Sequence, residues 1–311
     1  MTLLAKPGKS RLAKGWRPIT LVTLLCKIIS RITYIRIRDQ ADGILEDAQN
    51  GFRTYRRTID SIFQLRNITE RIREKNGKLY VAFVDLQGAF DTVSRKVVID
   101  VLQYYGFPEQ EIAVIKTLFD NTTFKLQRAG EKDTEIMKST IGLPQGTALS
   151  PVLFNLCLNY VLSQMSVNDL TKLLTLFEMN GTKITDPQKI LEYAIERLLY
   201  ADDIALLAST KESLRDKLNE MNEIFLKHGL FISAQKTEWM VFNESFQEDS
   251  ITCLGCCRFQ RELCFFFAKW IYRFENFNSF HDVPFVWSQI MGPFQTYFCR
   301  AQHLMCFMDG A

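Results

Sequence analysis

Leu198-Leu199-Tyr200-Ala201-Asp202-Asp203-Ile204-Ala205-Leu206-Leu207-Ala208 is the stretch on which the fold turns. Two apolar runs flank a short acidic centre, and each run is too short for a helix. The stretch therefore reads as a β-hairpin with acids at its tip. Working backwards, Leu79 to Val84 is another β-prone run, and Asp85 closes it. Asp85, Asp202 and Asp203 thus stand at strand ends between apolar flanks, not on a solvated face. Three carboxylates converging on one spot repel each other unless a cation neutralises them. Oxygen donors favour Mg²⁺ over zinc, and three His in the chain leave little room for a multi-His site. Two such ions can clamp the attacking and leaving oxygens of an in-line phosphoryl displacement. Spacing alone leaves the plainer alternative open, a turn Asp-Asp plus an unrelated strand-end Asp.

The segments around these strands have helical periodicity. Residues 16–38 are apolar, with basic residues at Lys27, Arg31, Arg36 and Arg38, several of them near one helical face, and Ile28, Ile29, Ile32 and Ile35 on another. Residues 58–75 repeat the style, with Ile59, Ile62, Phe63, Leu65, Ile68 and Ile72 among Arg66, Arg71 and Arg73. Gly77 breaks that pattern before the Leu79–Val84 run. A helix is expected over 94–105, closed by Gly106 and Pro108. Gly142 to Gly146 reads as a loop. Ser150-Pro151 reads as a helix opening, Ser as N-cap and Pro at the first helical position, with the helix running to about Met165. Residues 211–228 form an amphipathic helix ended by Gly229, and strands are expected near 230–233 and 238–242.

With 311 residues, 47% hydrophobic and 23% charged, the chain can bury a core. No apolar run reaches membrane-spanning length, and Met1 to Ser10 lacks the apolar centre of a secretory signal, so an intracellular protein is expected. The net charge of +3 conceals an asymmetry: residues 1–75 carry 16 Lys/Arg against 7 Asp/Glu. A basic N-terminal part suggests a polyanionic partner, although a solvated helix face has the same composition. Six of the eight Cys and 12 of the 24 Phe fall in the last 66 residues. Cys253-x-x-Cys256 with Cys299 and Cys306 is too irregular to read as a zinc site.

Several motifs, in order, resemble one family. Tyr200-Ala201-Asp202-Asp203 resembles the Y-x-D-D box of reverse transcriptases. Val84-Asp85-Leu86-Gln87-Gly88-Ala89-Phe90-Asp91 resembles the first catalytic-Asp motif in its non-LTR (LINE-type) retrotransposon form. Gly142-Leu143-Pro144-Gln145-Gly146-Thr147-Ala148-Leu149-Ser150-Pro151 resembles the motif that braces template and incoming nucleotide. Trp16-Arg17-Pro18-Ile19-Thr20 and Gln49-Asn50-Gly51-Phe52-Arg53 resemble the finger motifs. Gly229-Leu230 with Lys236-Thr237-Glu238 resembles the post-catalytic Lys motif, and Cys253-Leu254-Gly255 a trace of the primer-grip hairpin.

The resemblance implies an α+β polymerase right-hand fold. Fingers would cover 1–78 and a palm with an antiparallel sheet 79–255, while 256–311 is an atypical Cys/Phe-rich tail without a recognisable thumb. It implies RNA-directed DNA synthesis from an RNA template, a DNA primer and dNTPs, with two Mg²⁺ ions, for which Mn²⁺ can substitute. Asp85, Asp202 and Asp203 would hold the metal, with the Leu86 carbonyl as a further oxygen ligand. Phe90 would exclude a ribose 2′-hydroxyl. Gln145 and Gly146 would lie under the nascent base pair, Gly permitting close backbone approach. Lys236 would meet the departing pyrophosphate, and Arg17 and Arg53 would contact template phosphate or triphosphate. The motifs start close to Met1, so no endonuclease domain is expected ahead of them within this sequence. Gly88 stands where the family often has a basic residue, and Ser233 where Asn is common. The rival readings are an inactive retroelement remnant with residual RNA binding and an RNA-dependent RNA polymerase.

Overall fold

The computed structural model describes residues 2–5, 16–74, 76–120, 122–125, 136–166, 178–179, 182–183, 196–242, 251–253 and 257–259. The order of elements is β1 (Thr2–Ala5), β2 (Trp16–Ile19), α1 (Leu24–Ile44), α2 (Thr58–Glu74), β3 (Leu79–Val84), α3 (Ala89–Thr92), α4 (Arg95–Tyr104) and α5 (Glu109–Asp120). Then come β4 (Thr123–Lys125), β5 (Ile136–Lys138), α6 (Leu149–Leu162), β6 (Glu178–Met179), β7 (Thr182–Lys183), β8 (Arg197–Tyr200) and β9 (Asp203–Ala208). The described elements end with α7 (Lys211–Lys227), β10 (Glu238–Phe242), β11 (Ile251–Cys253) and β12 (Cys257–Phe259).

The centre is a four-stranded antiparallel sheet in the order β10-β3-β9-β8. Its strands are apolar on both faces because both faces are covered. Leu79, Val81 and Phe83 of β3 pack with Leu65, Ile68 and Ile72 of α2. The alternate residues Ala82 and Val84 join a larger cluster on the opposite face, with Phe154 and Leu158 of α6, Leu218 and Phe225 of α7, and Val98 of α4. The period-2 alternation of the strand thus serves two separate layers. Buried aliphatic and aromatic side chains in such layers each contribute roughly 1.5–3 kcal/mol.

Four expectations change. Residues 16–19 pair as β2 with β1, and the helix begins only at Leu24, where the Thr23 side chain accepts from the Cys26 amide. Nothing local announces a partner strand that lies near residue 2. Along α1 the buried residues are Ser30, Thr33, Ile37 and Ala41, whereas Ile28, Ile29, Ile32 and Ile35 are exposed. Residues 230–233 contribute one bridge, Ile232 to Leu86, and no full strand. Ser150 is not the cap of α6. That helix starts one residue earlier, and the Ser150 hydroxyl donates back to the Pro144 carbonyl at 2.7 Å, fastening the preceding loop. Cys253 of β11 pairs with Cys257 of β12, and Leu254–Gly255 lie outside the described residues. The tail from 260 and the remaining cysteines lie outside the described residues. Among the described residues no helix is long and apolar enough to cross a membrane.

Candidate active site

Tyr200 pairs directly with Asp203, so Ala201 and Asp202 form a two-residue hairpin loop. Such loops match strand twist when the first residue takes a positive φ. Ala201 does so at φ 58°, a conformation costing a non-glycine residue on the order of 1 kcal/mol. Val84 pairs with Ile204, and the next positions along this ladder are Asp85 and Asp203. Strand register therefore brings Asp85, Asp202 and Asp203 to one end of the sheet.

Asp85 is 7% exposed. The Lys236 ammonium donates to its Oδ1 at 2.8 Å, and the Asp85 amide lies 3.4 Å from the Thr237 hydroxyl. The Ser233 amide donates to the Asp85 carbonyl and the Gln87 amide to the Phe231 carbonyl, each at 2.8 Å. These bonds flank Leu86 and leave its own carbonyl out of the bridge. Lys236, expected at the pyrophosphate, here neutralises the buried carboxylate. Among the described residues no three His, Cys, Asp or Glu side chains already form a metal cage.

A second group surrounds Phe90. Its ring stacks on Phe154 at 4.8 Å and meets the edge of Phe52 at 6.3 Å. The Leu143 amide donates to the Phe90 carbonyl at 2.7 Å, tying the Gly142–Gly146 loop to the residue. Gln145 donates from Nε2 to Asp91 Oδ1 at 2.9 Å, and its carbonyl accepts from the Thr20 amide at 2.8 Å. Gly146 has φ 122°, and a Cβ there would lie 2.9 Å from the Thr20 carbonyl oxygen. The close approach this glycine permits is thus to the backbone after β2. Arg17 sits on β2 opposite Leu4.

Arg53 differs from expectation. Its Nε meets Asp42 Oδ1 at 2.6 Å, and its other nitrogens donate to the carbonyls of Asp42, Glu46 and Gln49. With the side chain 7% exposed, this guanidinium is engaged in the fold instead of standing open to phosphate. Arg95 is a residue that pattern reading passed over. It is buried, and it donates to the carbonyls of Gly142, Phe119 and Ser139 at 3.0, 2.8 and 2.7 Å. It anchors the start of the 142–146 loop, and a lone Arg after Ser94 carries no sequence signal for that.

An antiparallel sheet between helical layers, with acids gathered at one end, is the architecture of a right-hand nucleic-acid polymerase. The chain belongs to the reverse transcriptase (RNA-dependent DNA polymerase) family, which matches it over residues 4–257. It is 27% identical over 236 residues to the retrovirus-related Pol polyprotein from type-1 retrotransposable element R2 of Nasonia vitripennis, covering 76% of this chain and 21% of that protein. It is 24% identical over 255 residues to the RNA-directed DNA polymerase from mobile element jockey of Drosophila funebris, covering 79% and 25%. Among solved structures it is similar to apo telomerase from Candida tropicalis, with a TM-score of 0.48, 12% identity, and 73% and 38% of the two chains covered. The chain spans about a quarter or less of the two curated relatives named.

Proposed function

We propose that this chain copies RNA into DNA, adding dNTPs to the 3′ hydroxyl of a DNA primer. The observation that carries the proposal is the convergence of Asp85, Asp202 and Asp203 at one sheet end through the β3–β9–β8 register. The reverse transcriptase family depends on divalent metal ions, and the donor set here suits a hard cation: three carboxylates and a main-chain carbonyl. The ammonium of Lys236 on Asp85 is further support, because it marks a spot where positive charge is favoured. Asp85 and Asp202 would hold two Mg²⁺ ions, with Asp203 supporting them and the Leu86 carbonyl as an added ligand. When bound, the ions supply charge neutralisation for the attacking and leaving oxygens.

The chain's own residues orient and exclude. Phe90, backed by Phe154, presents a ring that a ribose 2′-hydroxyl would strike. Gln145 and Gly146 form the floor for the nascent pair, held by Asp91 and Thr20. Lys236 would hold its ammonium beside Asp85 for the negative charge of the departing pyrophosphate. Template phosphates fall to the basic residues before 75, Arg17 among them. Primer extension on an RNA template tests this reading: the expected product is DNA complementary to the template, and ribonucleotide incorporation in its place would overturn it.

A further inference from the structure

The segment before Gly51 runs beside the acidic hairpin as a short parallel extension of the sheet. Gln49 bridges to Leu199, the Asn50 amide donates to the Leu199 carbonyl at 2.9 Å, and the Leu199 amide donates to the Ala48 carbonyl at 2.9 Å. Gln49 itself is 2% exposed. Its Oε1 accepts from the Ala201 amide at 3.0 Å and from the Gly51 amide at 2.8 Å, while its Nε2 donates to the Ala201 carbonyl at 3.3 Å. A single buried amide thus holds both polar groups of the one loop residue with positive φ.

Gly51 closes the other side. A Cβ at this position would lie 2.2 Å from the Ala201 nitrogen and 2.9 Å from its Cα. No side chain fits there without moving the hairpin. The Gly51 carbonyl in turn accepts from Asn155 Nδ2 of α6 at 2.8 Å, and Arg53 donates to the Gln49 carbonyl at 3.3 Å. The clamp is therefore itself fixed from α6 and from the end of α1.

We infer that Gln49 is a positioning residue: its carboxamide, pressed in by Gly51, sets the backbone of the Ala201–Asp202 turn and so the place of the two hairpin carboxylates. The inference rests on the proposed function of those acids. Its reach is physical: an acid displaced by about 1 Å from productive geometry can cost on the order of a hundredfold in rate. Gln49→Met keeps length and volume while removing all three bonds. Gly51→Ala perturbs the same turn from the opposite side and leaves Gln49 intact.

The test uses the full chain and two readouts. Hydrogen exchange of the 198–204 segment is expected to quicken by about tenfold in Gln49→Met, the equivalent of one lost hydrogen bond, with exchange in α7 unchanged. In primer extension, Gln49→Met and Gly51→Ala are each expected to lower kcat by about ten- to a hundredfold, with the KM for dNTP within about threefold of wild type. Wild-type exchange at 198–204 in folded Gln49→Met, or wild-type kcat in both folded variants, overturns the inference. A wild-type chain that extends no primer counts against the proposed function instead, and the exchange measurement still decides the clamp.

Discussion

Replacing Arg95 by Met removes a buried guanidinium from above the Phe119 ring and takes its donors from the carbonyls of Gly142, Phe119 and Ser139, of which Phe119 keeps the Thr122 amide at 3.2 Å. Hydrogen bonds to charged groups contribute about 1.5–3 kcal/mol each. Three of them set an upper range of about 5–9 kcal/mol, from which the cost of burying the charge must be subtracted. That cost is visible in Arg95 itself, where burial lowers the pKa of the guanidinium. Met recovers much of the apolar contact with Phe119, and the carbonyl of Ser139, at the surface end of the site, can turn to water. The expected net loss is about 3 kcal/mol. In urea unfolding at 25 °C, a slope of about 3 kcal/mol/M makes this a midpoint shift of about 1 M with the slope unchanged. A loss under about 1 kcal/mol would mean that these carbonyls find adequate partners without the guanidinium, and that Arg95 does not anchor the loop.

Three further outcomes follow from the same geometry. Burial pushes the Cys157 thiol up to about 12, so at pH 8 it should resist iodoacetamide in the folded chain and react only in denaturant, as peptide mapping would read. Phe90→Val should raise ribonucleotide relative to deoxynucleotide incorporation by about tenfold or more, measured as the ratio of kcat/KM values. Burial, and then the nearby Lys227, lower the pKa of His228, so the folded state takes up its proton later than the unfolded state. This contribution is therefore constant above the unfolded pKa and lost as pH falls from about 6.5 through the lower folded value. His228→Gln should remove that part of the decline in unfolding free energy.

Local chemistry made the sheet legible. The Leu79–Val84 run and the Leu198–Ala208 hairpin carry their signals within a few residues, and Asp85, Asp202 and Asp203 fall where strand ends put them. Elements that depend on remote partners were not legible. β2 exists because β1 pairs with it, and the 230–233 segment meets Leu86 from across the chain. The clamp on Ala201 joins residues 152 apart in sequence. Arg53 matched a finger motif, yet Asp42 and three carbonyls engage it. Helix α5 had a signal with two readings: Pro108 closes α4, and together with Glu109 and Glu111 it also opens the next helix. The exposure of Ile28, Ile32 and Ile35 on α1 reverses the usual rule that an apolar stripe faces the core.

The central claim is that the acids at the end of the β3–β9–β8 ladder carry nucleotidyl transfer. Single-turnover incorporation of one dNTP on an RNA template tests it most directly, comparing wild type with Asp202→Ala in the presence of Mg²⁺. Incorporation is expected from the wild type and essentially none from a folded Asp202→Ala chain. Equal incorporation by the two, or none by the wild type, would contradict it.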